Sequence, residues 1–280
     1  LAKIRRNKAR SLKRNLARKM NRHNKRQSPP SAAPAQEPQL QMPVLELKQR
    51  IKLATHNIRG VLGKRNEIEN YMWSKGIDIM TVQETHSSGA QREKNKYYSW
   101  YFSGGPDDER CHHGVGIIIS IWLRNYIIDI EPISARLMTL TLRFKVPIHI
   151  IAAYAPTADS PTEDKDEFYD ALKGQLHKHG KHGATHVGAD MNARMERTDD
   201  NAQERIGPHV FAEGNTIETN PQLEESRNML QELLISTRTV LTNTYFYKQT
   251  KYKRAYIYIY IYILDKQART EPPYVKGRFE

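Results

Sequence analysis

The chain has 280 residues, with 44 Lys+Arg against 31 Asp+Glu and a formal charge of +13. That length holds one large domain or two small ones, with a substantial buried core. A single cysteine, Cys111, excludes an intrachain disulfide and fits a reducing compartment. No run of about twenty apolar residues is present to cross a membrane as a helix.

The charge is concentrated at one end. Residues 1–27 contain twelve Lys/Arg and no acid, so the remainder of the chain is close to neutral. This arm, with Arg5, Arg6, Arg10, Lys13, Arg14, Arg18 and Lys19, is too charged and too poor in large apolar residues to fold alone. It reads as a nucleic-acid-binding or nuclear-targeting segment, held to phosphates by counterion release, with a solubilising leader as the alternative. The chain begins at Leu1 without an apolar signal core and reads as a fragment of a longer frame. Residues 28–47, with Pro29, Pro30, Pro34, Pro38 and Pro43 among Ala, Ser and Gln, form an extended linker.

A globular domain spans 48–250. Residues 51–58 predict a strand ending in Thr55-His56-Asn57-Ile58-Arg59-Gly60, and 64–75 a helix with Ile68, Tyr71 and Met72 on one side. The run Ile77-Asp78-Ile79-Met80-Thr81-Val82 predicts a buried strand that delivers Gln83-Glu84-Thr85-His86 to a sheet edge. A further apolar strand covers 114–120. The alternation over 138–144 predicts a half-buried strand, and 148–154 predicts another that stops before Pro156.

Ser160-Pro161-Thr162-Glu163 reads as a capping box opening a helix through Phe168, Leu172 and Leu176. His177, His179 and His182 are expected to be exposed at its far end. Residues 184–189 predict a strand ending at Asp190. Asn220-Pro221 caps a third helix, and 239–246 reads as a last strand. More strands than helices, some joined by short connections, point to mixed sheets in an α/β domain.

Four strand ends carry residues suited to phosphate chemistry: Asn57, Glu84, Tyr154 and the pair Asp190/Asn192. Magnesium prefers carboxylate oxygens and keeps several waters, so Glu84 and Asp190 suffice to hold it. Asn57 and Asn192 offer neutral groups that orient an anionic phosphate, and Tyr154 offers a hydroxyl. The metal would neutralise charge developing at phosphorus. By contrast, Cys111-His112-His113 cannot converge on one tetrahedral zinc.

These stretches, in this order, resemble the endonuclease/exonuclease/phosphatase superfamily. The motifs are Thr55–Gly60, Val82–His86, Gly114-Val115-Gly116-Ile117, Ala153-Tyr154-Ala155-Pro156, Gly188–Ala193 and Thr242-Asn243-Thr244-Tyr245-Phe246. The Gln-Glu-Thr-His and Thr-Asn-Thr-Tyr-Phe variants are most similar to the apurinic-type endonuclease domain of non-LTR retrotransposons, which nicks target DNA to expose a 3′ hydroxyl. Each motif alone is weak; the first five in order are strong, and Thr242–Phe246 looks like the next one. The resemblance covers roughly residues 50–247, and Ala189 departs from it where many relatives carry glycine. It implies a four-layer α/β sandwich, two mixed β-sheets flanked by helices. It also implies Glu84 as a ligand of magnesium (manganese as the alternative) and Asn57 beside metal and phosphate. Tyr154 becomes a phosphate or transition-state contact, and Asp190 and Asn192 orient water and phosphate. Implied partners are DNA and a reverse transcriptase domain in the parent element, with a nuclear location.

The C-terminus departs further. Relatives continue through further strands to an Asp-His pair, whereas here no histidine follows His209 and no tryptophan follows Trp122. From about Lys248 the chain leaves the pattern, and 251–280 reads as an aberrant tail; Asp265 is only a superficial echo. Its Tyr-Ile repeat at 256–263 matches translation of an alternating TA tract and is a cross-β hazard. The expectation is a sheet lacking its C-terminal strands, with an unpaired edge and an incomplete active site of weak or no activity. Three functions remain open: a magnesium-dependent DNA endonuclease, a phosphoesterase of the same fold acting on another phosphoester, and a non-catalytic nucleic-acid-binding remnant that works through residues 1–27.

Overall fold

The computed structural model describes residues 51–106, 112–181, 183–193, 195, 205–210 and 220–246, together with the backbone of 257–262. All belong to one compact unit, Val44–Glu280. The basic arm, the linker, Cys111, His182, Lys248 and Asp265 lie outside the described residues.

Among the described residues, ten strands form two mixed sheets. They are β1 (Ile51–Asn57), β2 (Ile79–Gln83), β3 (Ala90–Lys94), β4 (Tyr98–Ser103), β5 (Val115–Ser120), β6 (Ile127–Ser134), β7 (Leu137–Leu142), β8 (Ile148–Tyr154), β9 (Ala184–Asp190) and β10 (Ile257–Tyr262). One sheet runs β10-β1-β2-β5-β4-β3 and the other β6-β7-β8-β9. Three helices accompany them: α1 (Arg65–Lys75), α2 (Thr162–Gly180) and α3 (Pro221–Thr237).

Alternating side chains sort the strands into layers. Leu53, Ile79, Val115, Ile117 and Ile119 meet Met138, Leu140, Leu142, Ile150 and Ala152 between the sheets. The opposite face of the first sheet, through Ala54, Met80, Val82, Trp100 and Ile118, packs on Ile68 and Met72 of α1. The outer face of the second sheet, through Leu137, Ile151 and Ala153, packs on Phe168, Leu172 and Leu176 of α2 and on Leu230, Leu233 and Leu234 of α3. The result is the four-layer α/β sandwich.

Double-sided covering corrects the expectation of a half-buried strand at 138–144. Every residue of β7 is buried, Thr139 and Thr141 included, because helices cover the face that alternation assigned to solvent. His179 is likewise buried, not exposed: it continues the Phe168/Leu172/Leu176 stripe of α2 and packs on His149 of β8, ring centroids 4.4 Å apart. His177 is exposed, as expected.

Other local expectations change too. Ser160 does not cap α2; its hydroxyl pairs with that of Thr157 at 3.1 Å. Asn220 does cap α3, accepting from Gln222 N at 2.9 Å, with proline at the first helical position. The last expected strand, 239–246, is a 3-10 turn over Thr242–Tyr245. There the Thr244 hydroxyl donates to Leu241 O and accepts from Gly207 N, each at 2.6 Å, so a side chain takes over from a ladder.

Strands β3, β4 and β6 have no counterpart in the sequence reading. β6 is the hardest to see, since it is an edge strand, largely exposed, with Pro132 and two register shifts. The edge expected to be unpaired is paired: β10 runs antiparallel to β1, from Ile51 opposite Tyr262 to His56 opposite Ile257.

Candidate active site

Two parallel strand pairs bring together residues far apart in sequence. In β1–β2, Asn57 stands in register with Gln83, which places Glu84 one residue past the pair. In β8–β9, Tyr154 stands in register with Asp190. The two pairs end at the same edge of facing sheets, so Asn57, Glu84, Tyr154 and Asp190 meet there.

Asn57 is the hub. Its Nδ2 donates to Glu84 Oε1 at 2.7 Å and to Asp190 Oδ2 at 3.0 Å. The Tyr154 hydroxyl donates to the same Glu84 oxygen at 3.0 Å. Asp190 Oδ1 accepts from the backbone N–H of Asn192 at 3.2 Å, and Asn192 Nδ2 donates to Ala155 O at 2.8 Å. Asn57, expected as a metal ligand beside Glu84, therefore meets both carboxylates with its amide nitrogen, while its oxygen accepts Arg59 N–H at 3.2 Å.

Beneath this cluster the sheets are pinned together. Gln83 pairs with the Thr55 hydroxyl and reaches across to Gly188 O at 3.2 Å. Gly188 has no room for a side chain, because a Cβ there would lie 2.0 Å from Thr81 Oγ1. Close approach of the two backbones is what lets one amide touch carboxylates from both sheets.

The loops above are held in uncommon backbone. Glu84, His86, Arg59 and Asn192 all have positive φ, between 45° and 55°. For Glu84 this is a strained conformation that surrounding bonds must impose. Gly60 N donates to Glu84 O at 2.6 Å, Val61 N to Thr85 O at 3.0 Å, and Lys64 Nζ to the carbonyls of Ile58 and Arg59 at 2.6 and 3.0 Å.

Electrostatics follow from crowding. Burial, as the largest cause, and the nearby Glu84 charge raise the Asp190 carboxyl above the usual range, against its bonds from Asn57 and Asn192. The Tyr154 phenol is pushed up to about 12, first by burial and then by its bond to Glu84, so it remains a protonated donor near neutrality.

Three neighbours escaped the sequence reading. Arg136 in the β6–β7 turn lies over Tyr154, His113 lies beside it, and Arg59 is close enough to lower Asp190 by its charge. A lone arginine before an alternating strand carries no signal of its own. In sequence His113 stands out only within Cys111-His112-His113, as a zinc ligand that cannot converge with its neighbours.

The donor set fits a hard divalent cation. Two carboxylates that share one neutral amide hydrogen-bond donor leave negative charge that a cation would balance, and magnesium needs only one or two such groups. Among the described residues no group of three or more His, Cys, Asp or Glu could hold a metal ion.

No protein-family model matches the sequence, and no curated protein matches it. Solved structures do match. The AP endonuclease LMAP from Leishmania major aligns at TM-score 0.51 with 12% identity, over 69% of this chain and 68% of that one. The APE2 catalytic domain from Xenopus laevis aligns at 0.46 with 16% identity, over 65% and 67%. The endonuclease domain of TRAS1, a telomere-specific non-LTR retrotransposon, aligns at 0.40 with 15% identity, over 65% and 70%. At these identities the likeness shows the fold alone. The chain has the endonuclease/exonuclease/phosphatase fold, the architecture it shares with the Leishmania major AP endonuclease.

Proposed function

We propose that the protein is a divalent-metal-dependent phosphodiesterase that nicks DNA, descended from a retrotransposon endonuclease. The observation that carries this reading is the convergence on Asn57, where one amide nitrogen touches a carboxylate from each sheet and the tyrosine hydroxyl closes the ring on Glu84.

Glu84 is the residue to hold magnesium, with manganese as a substitute, and Asn57 orients its carboxylate. When bound, the metal would neutralise charge on the phosphoryl oxygens and the leaving oxygen. Asp190, made more basic by burial, takes the proton of the attacking water as its oxygen bonds to phosphorus. The phosphorus–oxygen bond on the far side breaks, and the departing oxygen is protonated from solvent as a hydroxyl. Tyr154, protonated near neutral pH, turns its single O–H from Glu84, whose carboxylate the metal would take, to a phosphoryl oxygen and stabilises it as charge grows. Asn192 holds Asp190 through its backbone N–H and ties the Asp190 loop to Ala155. The basic arm would add affinity for DNA without sequence preference, and a nuclear location belongs to the same proposal.

The test is magnesium-dependent nicking of supercoiled plasmid by purified protein, with chelator, Glu84→Ala and Asp190→Ala alongside. Nicking that needs metal and disappears in both variants supports the reading. Folded wild-type protein that binds plasmid but never nicks it would favour a non-catalytic nucleic-acid-binding remnant. Hydrolysis of small phosphoesters in place of plasmid would move the substrate away from DNA.

A further inference from the structure

Arg136 grips Tyr154 from several sides. Its guanidinium carbon stands 5.2 Å from the centroid of the Tyr154 ring. Nη1 lies 3.3 Å from the carbonyl oxygen of Tyr154 and 3.4 Å from that of Ala155, donating to both. The main chain repeats the contact, because Tyr154 N donates to Arg136 O at 2.9 Å. A flat cation stacked on the ring, with its edge on the two carbonyls that follow, restricts both the ring and the backbone that carries it.

The grip is anchored in the opposite sheet. Arg136 Nη2 stands 3.2 Å from His113 Nε2. A guanidinium only donates, so Nε2 accepts and the neutral imidazole carries its proton on Nδ1. Burial and the Arg136 charge hold His113 below its ordinary range, which keeps Nε2 an acceptor near neutral pH. His113 precedes β5, its carbonyl accepts His86 N at 2.9 Å, and Gly114 N donates to Ala135 O at 2.9 Å. The first sheet thus fixes Arg136, and Arg136 fixes Tyr154 of the second.

We propose that Arg136, held by His113, is a positioning residue that holds the Tyr154 hydroxyl where it bonds Glu84 in the free protein and a phosphoryl oxygen once substrate is bound. This rests on the reading above, in which Tyr154 touches the reacting phosphate. A misplacement of about 1 Å can cost on the order of a hundredfold in rate, so rigidity at Tyr154 has catalytic value. Lysine would keep the charge but not the planar fork that stacks and bonds at once.

The experiment places fluorotyrosine at position 154 in the full chain and reads its fluorine NMR line, alongside kcat and KM for nicking. Variants are Arg136→Lys, Arg136→Gln, His113→Gln (whose amide oxygen still accepts) and His113→Leu. The expected result is one narrow line in the parent and in His113→Gln, and a broadened or shifted line in the other three. In those three kcat is expected to fall about tenfold or more with KM little changed, the pattern of a transition-state contact. An unchanged line in Arg136→Lys, Arg136→Gln and His113→Leu would overturn the inference, whatever the activity. The expected line changes in a protein that never nicks would leave the positioning intact and sink the proposed reaction instead. Should Arg136→Gln fail to fold, the contrast between the two His113 variants decides the matter.

Discussion

The Tyr154 hydroxyl lies 3.0 Å from Glu84 Oε1, a bond from the last residue of a strand in one sheet to the loop of the other. It couples the proposed phosphate-contacting group to the proposed metal-holding carboxylate, and Tyr154→Phe deletes it while keeping the ring. Nicking is expected to fall about tenfold or more, because the lost donor acts on developing charge. Stability should change by only about 1 kcal/mol, the net worth of a typical hydrogen bond. Gel-based nicking rates and urea midpoints separate the two effects; a wild-type rate in the variant would remove the phenol from the reaction.

Glu84 occupies left-handed backbone at φ 51°. A non-glycine residue there costs about 1–3 kcal/mol, which the bonds from Gly60 and Val61 must offset. Glu84→Gly and Glu84→Ala both remove the carboxylate, but glycine alone also relieves the backbone. Glu84→Gly is therefore expected to be the more stable by about 1 kcal/mol, with both inactive. Equal urea midpoints for the pair would mean that position 84 is not strained.

The layers and most residues that converge at the candidate site were legible because they obey local rules. Alternating and continuous apolar runs located β1, β2, β5, β7, β8 and β9, and the motifs at their ends named Asn57, Glu84, Tyr154, Asp190 and Asn192. What stayed hidden depends on contacts between distant segments. The burial of Thr139 and Thr141 required knowing that helices cover that face. Arg136 and His113 gain significance only from Tyr154, which is 18 residues from the first. The orientation of the Asn57 amide is decided by carboxylates 27 and 133 residues away. The 3-10 turn at Thr242–Tyr245 replaced a strand because a hydroxyl met Gly207 N, a pairing that no pattern of hydrophobicity records.

Gly188→Ala tests the close approach of the sheets. Its new Cβ would lie 2.0 Å from Thr81 Oγ1, so one sheet must shift. Overpacking of this kind costs about 1–3 kcal/mol. The Asn57 bonds that span the sheets should weaken with it, lowering nicking as well as stability. Adding Thr81→Ala removes the hydroxyl and is expected to recover part of the loss; a double variant no better than Gly188→Ala would locate the clash elsewhere.

His186, two residues before Gly188 in β9, is buried, and its pKa falls from 6.5 to about 4 because burial penalises the cation. Above pH 6.5 the imidazole is neutral in both folded and unfolded chains and has no effect on stability. As pH falls from 6.5 towards 4, the unfolded chain takes up a proton that the folded one refuses, so stability declines. The loss is about 1.4 kcal/mol per pH unit, on the order of 3 kcal/mol in all. His186→Gln should flatten this slope by one proton's worth in urea titrations at about pH 7, 5.5 and 4.5, which span the fall from 6.5 towards 4. Parallel slopes for variant and parent would show that His186 titrates normally.

The pairing of β10 with β1 gives the Tyr-Ile segment a structural role that its composition obscures. From Ile51 opposite Tyr262 to His56 opposite Ile257, the outer edge of β1 is matched by backbone. Without that partner, β1 would border the sheet with a row of unsatisfied N–H and C=O groups, the usual template for association between chains. Ending the chain at residue 250 is therefore expected to lower the melting temperature and to produce concentration-dependent association, read by scanning calorimetry and light scattering. Asn57 lies at the end of the same strand, so magnesium-dependent nicking should decline together with the melting temperature. Because the contact is backbone pairing, replacing the repeat with an alternating Val-Thr segment of equal length should restore both properties. A truncated chain that stays monomeric with an unchanged melting temperature would show that β10 contributes nothing to the fold, and that the β1 edge is protected by other means.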